Sequence, residues 1–332
     1  EYMERLQLII DCDPGVDDAL AIILALNHPA IDVLAICSVA GNGHIENTTQ
    51  NGLKILSLCG REDIPLYQGA DASVNGVRPD TVDAFGDDGL GGCADAVKTD
   101  KEPEKEHAVD FLARMVRENP NKLTIAAIGP CTNIASAVRK DPSFAGNVKQ
   151  IVLMGGAKYT GNVSPVAEYN FWADPIAARE VFQSGFRKCV MIGLDVTNQI
   201  ALDASCRELL RIFNTKLSRF IYQITESGMD ENWETRHKMV SPMHDILTIA
   251  YLIDENVVTL KESNIDIIEH GIGRGQSIVD IDGHWHEGKC NALYAAEVDV
   301  FKFYQLFLIT VFKEHEKEIT AYLKQISEKK ER

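Results

Sequence analysis

LIIDCDPGVDDALAIIL, residues 8–24, carries Asp11, Asp13, Asp17 and Asp18 between two apolar runs, with no Lys or Arg among them. Like charges this close repel, and burial makes ionised carboxylates costlier still. The run before the acids, LQLII, reads as a buried strand, and DDALAIILALN after Gly15 reads as a helix. With the strand ending at Ile10, its period of two puts Asp11 and Asp13 on one side of the chain. Pro14-Gly15 turns the backbone, and Asp17-Asp18 opens the helix, where the positive dipole end favours anions. Capping accounts for one or two of these aspartates, not four.

The same strand-then-helix unit recurs along the chain. DVLAICSVA, LTIAAI, QIVLM and CVMIGL read as further buried strands, and NTTQNGLKILSLCG, TNIASAVRK and DPIAAREVFQSG as helices. That alternation predicts an α/β fold with an open, mostly parallel central sheet flanked by helices. Ligands of such sheets bind beyond the carboxyl ends of the strands, which is where the acids lie. No Pro/Ser linker interrupts the chain, so residues 1–332 read as a single domain. DAVKTDKEPEKE (95–106) reads as a charged surface loop, and the polar C-terminal stretch as a helix. Gly271, Gly273 and Gly275 precede SIVDID, itself strand-like, and so shape a turn or hairpin rather than a dinucleotide loop.

The chain has 33 Lys and Arg against 49 Asp and Glu, a formal charge of −16, which argues against a nucleic-acid partner. FYQLFLITVF is too short to span a bilayer, and EYMERLQ lacks the blocks of a signal peptide. The expectation is a cytoplasmic protein with no membrane partner. Its eight cysteines show no C-x-x-C spacing and read as free thiols of a reducing compartment.

A hard cation bound by oxygens, Ca²⁺ or Mg²⁺ rather than zinc, would cancel the repulsion among the acids. An EF-hand is excluded, because Gly15 stands at the third ligand position and Ile22 at that of the final Glu. A phosphatase that forms an aspartyl-phosphate also ends a strand in D-x-D, but Gly15 replaces the Thr or Val it needs.

D-x-D-P-G-x-D-D resembles the opening motif of the inosine–uridine-preferring nucleoside hydrolases. VAGN (39–42), IGPCTNIA (128–135), VAEYN (166–170) and MHD (243–245) are similar to that family's later motifs, in the same order. The likeness spans roughly residues 6 to 299 and implies a Rossmann-like nucleoside hydrolase fold. It also implies an enzyme of nucleoside salvage that hydrolyses the N-glycosidic bond of ribonucleosides such as inosine or uridine, as a homodimer or homotetramer.

Carried over residue by residue, the resemblance implies one Ca²⁺ held by Asp13, Asp18, Asp245 and the carbonyl of Ile128, with Asp11 orienting them from behind. Asp13 would take the proton of the attacking water. Asp17, Asn42 and Asn170 would bind the ribose hydroxyls, Asn162 and Glu168 the 5′-hydroxyl, and Met154 would line the sugar pocket. His244 matches the residue proposed as leaving-group acid. One departure stands out: Phe85 replaces a common His in the loop ahead of Gly86, and it can stack on a base but not donate a proton. Tyr222, Trp233 and Arg236 precede MHD in a stretch that often folds over the base. His284 and His286 read as an exposed strand-turn. A binding protein of the same fold without turnover is the alternative, and its signature would be loss of Asp13 or the ribose ligands; none is lost.

Overall fold

The computed structural model describes residues 5–79 and 86–330. Its strands are β1 (Leu6–Cys12), β2 (Ile31–Ser38), β3 (Leu66–Gln68), β4 (Thr124–Ala127), β5 (Gln150–Met154) and β6 (Cys189–Ile192). They continue as β7 (Leu202–Asp203), β8 (Val240–Ser241), β9 (Val258–Ser263), β10 (Ile265–Ile267), β11 (Ser277–Val279) and β12 (Ala292–Val298). Eight of them form one sheet in the order β3-β2-β1-β4-β5-β6-β12-β9. Every neighbouring pair in it is parallel except β12 and β9, which run antiparallel at the edge.

The expected α/β sheet is therefore present, with three strands not read from the sequence: β3, β9 and β12. The turn after Gly271 feeds β11, which pairs antiparallel with β10 as the expected hairpin. All eight cysteines are free thiols. Among the described residues no helix is long and apolar enough to cross a membrane.

Period-two alternation divides the core. Leu8, Ile10 and Cys12 face one layer with the helices Val16–Asn27, Ile246–Ile253 and Val300–Val311. Ile9 faces the other, with the helices Ala108–Glu118, Thr132–Lys140 and Pro175–Gln183. Apolar residues on both faces of a strand are what a sheet covered on both sides requires.

β1 is where the strand order reverses: the chain runs outward to β2 and β3 on one side and then returns to β4 on the other. At such a switch point the connections diverge and leave a crevice beyond the strand ends. One boundary differs from expectation. β1 continues through Asp11 to Cys12, because both pair with β2 and Asp11 also pairs with Ala127 of β4. Asp11 thus sits inside the sheet rather than just beyond the strand end expected at Ile10.

Candidate active site

Four chain segments meet at the switch point. The main-chain N–H of Ile128 donates to the Asp11 carbonyl at 2.8 Å, and that of Val39 to the Cys12 carbonyl at 2.9 Å. These bonds extend the sheet by one residue on each side and bring the ends of β1, β2 and β4 together. The fourth segment is the start of the helix Ile246–Ile253, whose N-cap is Asp245. It packs against the helix that begins at Val16, so oxygens of Asp17, Asp18 and Asp245 lie within 4.8 Å of one another, all buried.

Asp13 is 1% exposed and tightly framed. Its Oδ2 accepts from the Asn42 backbone N–H at 2.7 Å, while its own N–H donates to Asp18 Oδ1 at 3.1 Å. Asp18 Oδ2 accepts from the Gly15 N–H at 3.2 Å and the Asn42 amide at 3.0 Å. Asp18 therefore caps its helix and supports Asp13 at once. Gly41 and Gly129 give Asp13 its room: a Cβ at either would stand 2.2 Å from Oδ2 or 2.7 Å from Oδ1.

Behind this group, Asp11 Oδ1 accepts from the Asn133 amide at 2.7 Å. Asn133 in turn donates to the Ser38 carbonyl and accepts from the Ala70 N–H, tying β1 to the last residue of β2 and to the segment after β3. Asn133 lies within IGPCTNIA, and its role could be seen only in three dimensions.

Burial, then mutual repulsion, governs the electrostatics. Burial pushes Asp11 up to about 7 and Asp17 up to about 8, the latter aided by the Asp18 charge. Burial likewise lifts Asp18 to about 6, and Asp13 and Asp245 rise well above the usual carboxylate range. Acids in such a place demand either protons or a cation. Two buried oxygens of this group, Asp13 Oδ1 and Asp11 Oδ2, have no hydrogen-bond partner among the described residues. An all-oxygen set with an unpartnered carboxylate atom fits a hard divalent cation.

Above the acids opens a cavity lined by Asp17, Asn42, Ile128, Met154, Asn162, Glu168, Asn170, His244 and Asp245. The structure thus gathers all these residues around one space, with Asp13 and Asp18 beneath it. Asn170 spans the floor, its amide donating to the Ile128 and Met154 carbonyls at 2.9 and 3.0 Å. Glu168 caps the short helix Tyr169–Ala173, accepting from the N–H groups of Gly156, Asn170 and Phe171. Asn162 Oδ1 accepts from the Tyr169 N–H at 3.0 Å. His244 Nδ1 meets the Thr197 hydroxyl at 2.8 Å, and burial, with the Arg236 charge, pushes its pKa down to about 4. Phe85 lies outside the described residues.

Most of the remaining wall comes from the helix Glu226–Arg236, through Gly228, Glu231, Asn232, Thr235 and Arg236, with Val163, Tyr169 and Pro242 completing it. Only Arg236 was singled out from the sequence. The others on the helix recur at the three- and four-residue spacing of one helix face, but in so polar a stretch nothing in the sequence marks which face turns inward. Trp233 points away and is 53% exposed, and Tyr222 stacks against the Arg207 guanidinium. His284 and His286 sit in an exposed turn away from the site.

Comparison with known proteins agrees with this geometry. The family model described as inosine-uridine preferring nucleoside hydrolase matches residues 8–305. An inosine-uridine preferring nucleoside hydrolase from Leishmania major is 34% identical over 305 residues, 91% of this chain and 96% of that protein. A pyrimidine-specific ribonucleoside hydrolase, RihA of Citrobacter koseri, is 38% identical over 283 residues, covering 83% of this chain and 88% of its own length. A solved plant nucleoside hydrolase superposes with a TM-score of 0.88 at 32% identity, over 92% of this chain and 98% of that one.

Proposed function

The chain belongs to the inosine-uridine preferring nucleoside hydrolase family and hydrolyses the N-glycosidic bond of ribonucleosides, and on that premise we propose how its residues divide the work. The observation that carries the proposal is Asp13 Oδ1, a buried carboxylate oxygen with no partner, set beneath a cavity floored by other carboxylates.

Asp13, Asp18, Asp245 and the Ile128 carbonyl are the ligands proposed for Ca²⁺, with Asp11 holding the group from behind through Asn133. When bound, the cation supplies positive charge that neutralises the acids, anchors the ribose diol and makes a nearby water more acidic. Everything else is done by the chain. Asp13 takes the proton of the water that attacks C1′. Asp17, Asn42 and Asn170 hold the ribose hydroxyls, and Asn162 and Glu168 the 5′-hydroxyl. Met154 packs against the sugar.

The electron pair of the C1′–N bond leaves with the base, and the ribosyl group acquires oxocarbenium character. His244, with Nδ1 engaged by Thr197, offers Nε2 to the departing base. Its lowered pKa makes it a neutral N–H donor near pH 7, not an imidazolium. The same reading takes residues 1–332 as one domain, assembled as a homodimer or homotetramer and working in the cytoplasm. A sheet built from β1 and β12, drawn from opposite parts of the chain, supports the single domain.

The test is ribose release from inosine, uridine, cytidine, adenosine and guanosine, with chelator and with Ca²⁺ or Mg²⁺ added back. The proposal expects release to stop on chelation and to return best with Ca²⁺. Release that survives exhaustive chelation overturns the cation, and no release from any of the five overturns the substrate class.

A further inference from the structure

Beside the nucleoside cavity lies a second one of about 290 Å³, which shares Asn162, Asn232, Arg236, Pro242 and His244 with it. Thr197, Asn198 and Lys238 help to complete its wall. Among the described residues no Asp or Glu lines this second cavity, although the chain carries a formal charge of −16. Arg236 and Lys238 are exposed, and among the described residues neither is ion-paired. Glu231 lines the nucleoside cavity but not this one. Asp17, Glu168, Glu231 and Asp245 thus line only the nucleoside cavity, whereas Lys238 lines only the second and Arg236 lines both.

That polarity matches a heterolysis. As the C1′–N bond breaks, the ribosyl carbon becomes positive and the base nitrogen keeps the bonding pair and becomes negative. The water oxygen bonds to C1′ and its proton passes to Asp13, so the products are ribose, protonated Asp13 and a base carrying one more negative charge than it had in the nucleoside. Groups placed where charge develops stabilise the transition state more than the ground state. Resting on the reading of the reaction given above, we infer that Arg236, with Lys238 beside it, receives the negative charge of the departing base. The enzyme accordingly favours nucleosides whose base is, or readily becomes, an anion.

A 5′-phosphate is the other source of negative charge that such a subsite could meet. Glu168, at the position assigned to the 5′-hydroxyl, repels one, whereas His244 and Arg236 flank the passage between the two cavities. The base is the source the geometry favours.

The experiment compares xanthosine, whose base loses a proton near neutral pH, with inosine, which lacks only the 2-oxo group. Wild type, Arg236→Gln, Arg236→Lys and Lys238→Gln are assayed with Ca²⁺ at about pH 8, with inosine 5′-monophosphate as a third substrate. Arg236→Gln is expected to lower kcat/KM for xanthosine by about tenfold more than for inosine, within the usual worth of one charge-stabilising donor. Arg236→Lys should retain most of the preference and Lys238→Gln should lose part of it. Free xanthine should inhibit wild type more strongly than hypoxanthine, and the difference should close in the Arg236→Gln/Lys238→Gln double variant. Equal losses on both nucleosides in an active enzyme overturn this inference alone. So does a variant effect confined to the 5′-monophosphate. A wild type that releases ribose from no nucleoside overturns the underlying reading, and the inference with it.

Discussion

Asn42 grips Asp13 twice: its backbone N–H lies 2.7 Å from Oδ2, and its side-chain amide lies 3.1 Å from the Asp13 main-chain oxygen. With Oδ2 held in this way, Oδ1 is the oxygen left to act. A base fixed through one oxygen and open at the other has the geometry that proton abstraction needs.

Asp13→Asn keeps the size of the side chain and some capacity to ligate, but it cannot take a proton. We expect kcat to fall by about 10²–10⁴-fold while nucleoside binding persists. Steady-state kinetics alongside equilibrium binding of inosine separate the two. Activity within about tenfold of wild type would remove Asp13 from the role of base.

Gly41→Ala tests the framing rather than the acid. The new Cβ would stand 2.2 Å from Asp13 Oδ2 and 2.9 Å from Pro130 Cδ, so Asp13 must shift. The expected result is a loss of activity of about 10²-fold or more, since small misplacements of reacting groups are costly. Gly146→Ala is the matched control: nothing lies within 4 Å of its Cβ. Inside the helix Phe144–Asn147, that substitution should leave activity intact and slightly raise Tm.

His244 is tested by the leaving group. His244→Ala should slow inosine or uridine by about 10²-fold or more, the worth of a donor to developing negative charge, yet spare 4-nitrophenyl riboside, whose phenolate departs without help. Equal losses on both substrates would mean that His244 only orders the helix carrying Asp245. Because its pKa is pushed down to about 4, the imidazole is already neutral above about pH 5. The kcat profile of wild type between about pH 6 and 8 should therefore show no limb that His244→Ala abolishes.

Removing the cation should destabilise the protein in a pH-dependent way. Asp18 and Asp17 are raised to about 6 and about 8, and Asp13 and Asp245 also rise, while the unfolded chain releases these protons near its ordinary value of 3.8. The metal-free fold thus keeps protons that the unfolded chain gives up. The contribution of these four groups to stability is greatest at low pH and falls as pH rises through about 4 to 8. A bound cation replaces those protons, so the gain in Tm from Ca²⁺ over chelator should be larger at about pH 8 than at about pH 5. An equal gain at both values would separate the cation from the aspartates.

Much of this could be read from local sequence, because strand, turn and helix are short-range structures. Apolar runs of β-branched residues marked β1, β2, β4, β5 and β6, and Pro14-Gly15 before Asp17-Asp18 marked the turn into the first helix. β9 and β12 were missed for a physical reason. β9, VTLKES, is an edge strand whose charged residues face outward, and β12, ALYAAEV, is too mixed to carry a buried-strand pattern. In the sequence the end of β1 falls early, at Ile10, because an aspartate closes the apolar run; Asn133, which satisfies Asp11 inside the sheet, is distant in sequence.

The sequence by itself determined that this chain folds as a parallel α/β sheet and that its acids collect where one strand hands over to a helix. Apolar periodicity and turn chemistry act over a few residues, and they act in any context. Only the tertiary structure decided which distant groups join those acids. The reversal of strand order at β1 sets Ile128 beside Asp11, and the packing of two helix starts brings Asp245 to Asp17 and Asp18. It also decided that Asn232 and Arg236 face the cavity while Trp233 does not. The rotation of a helix about its axis is set by what it packs against, and the mostly polar stretch 226–236 carries no apolar stripe that would fix that rotation in advance.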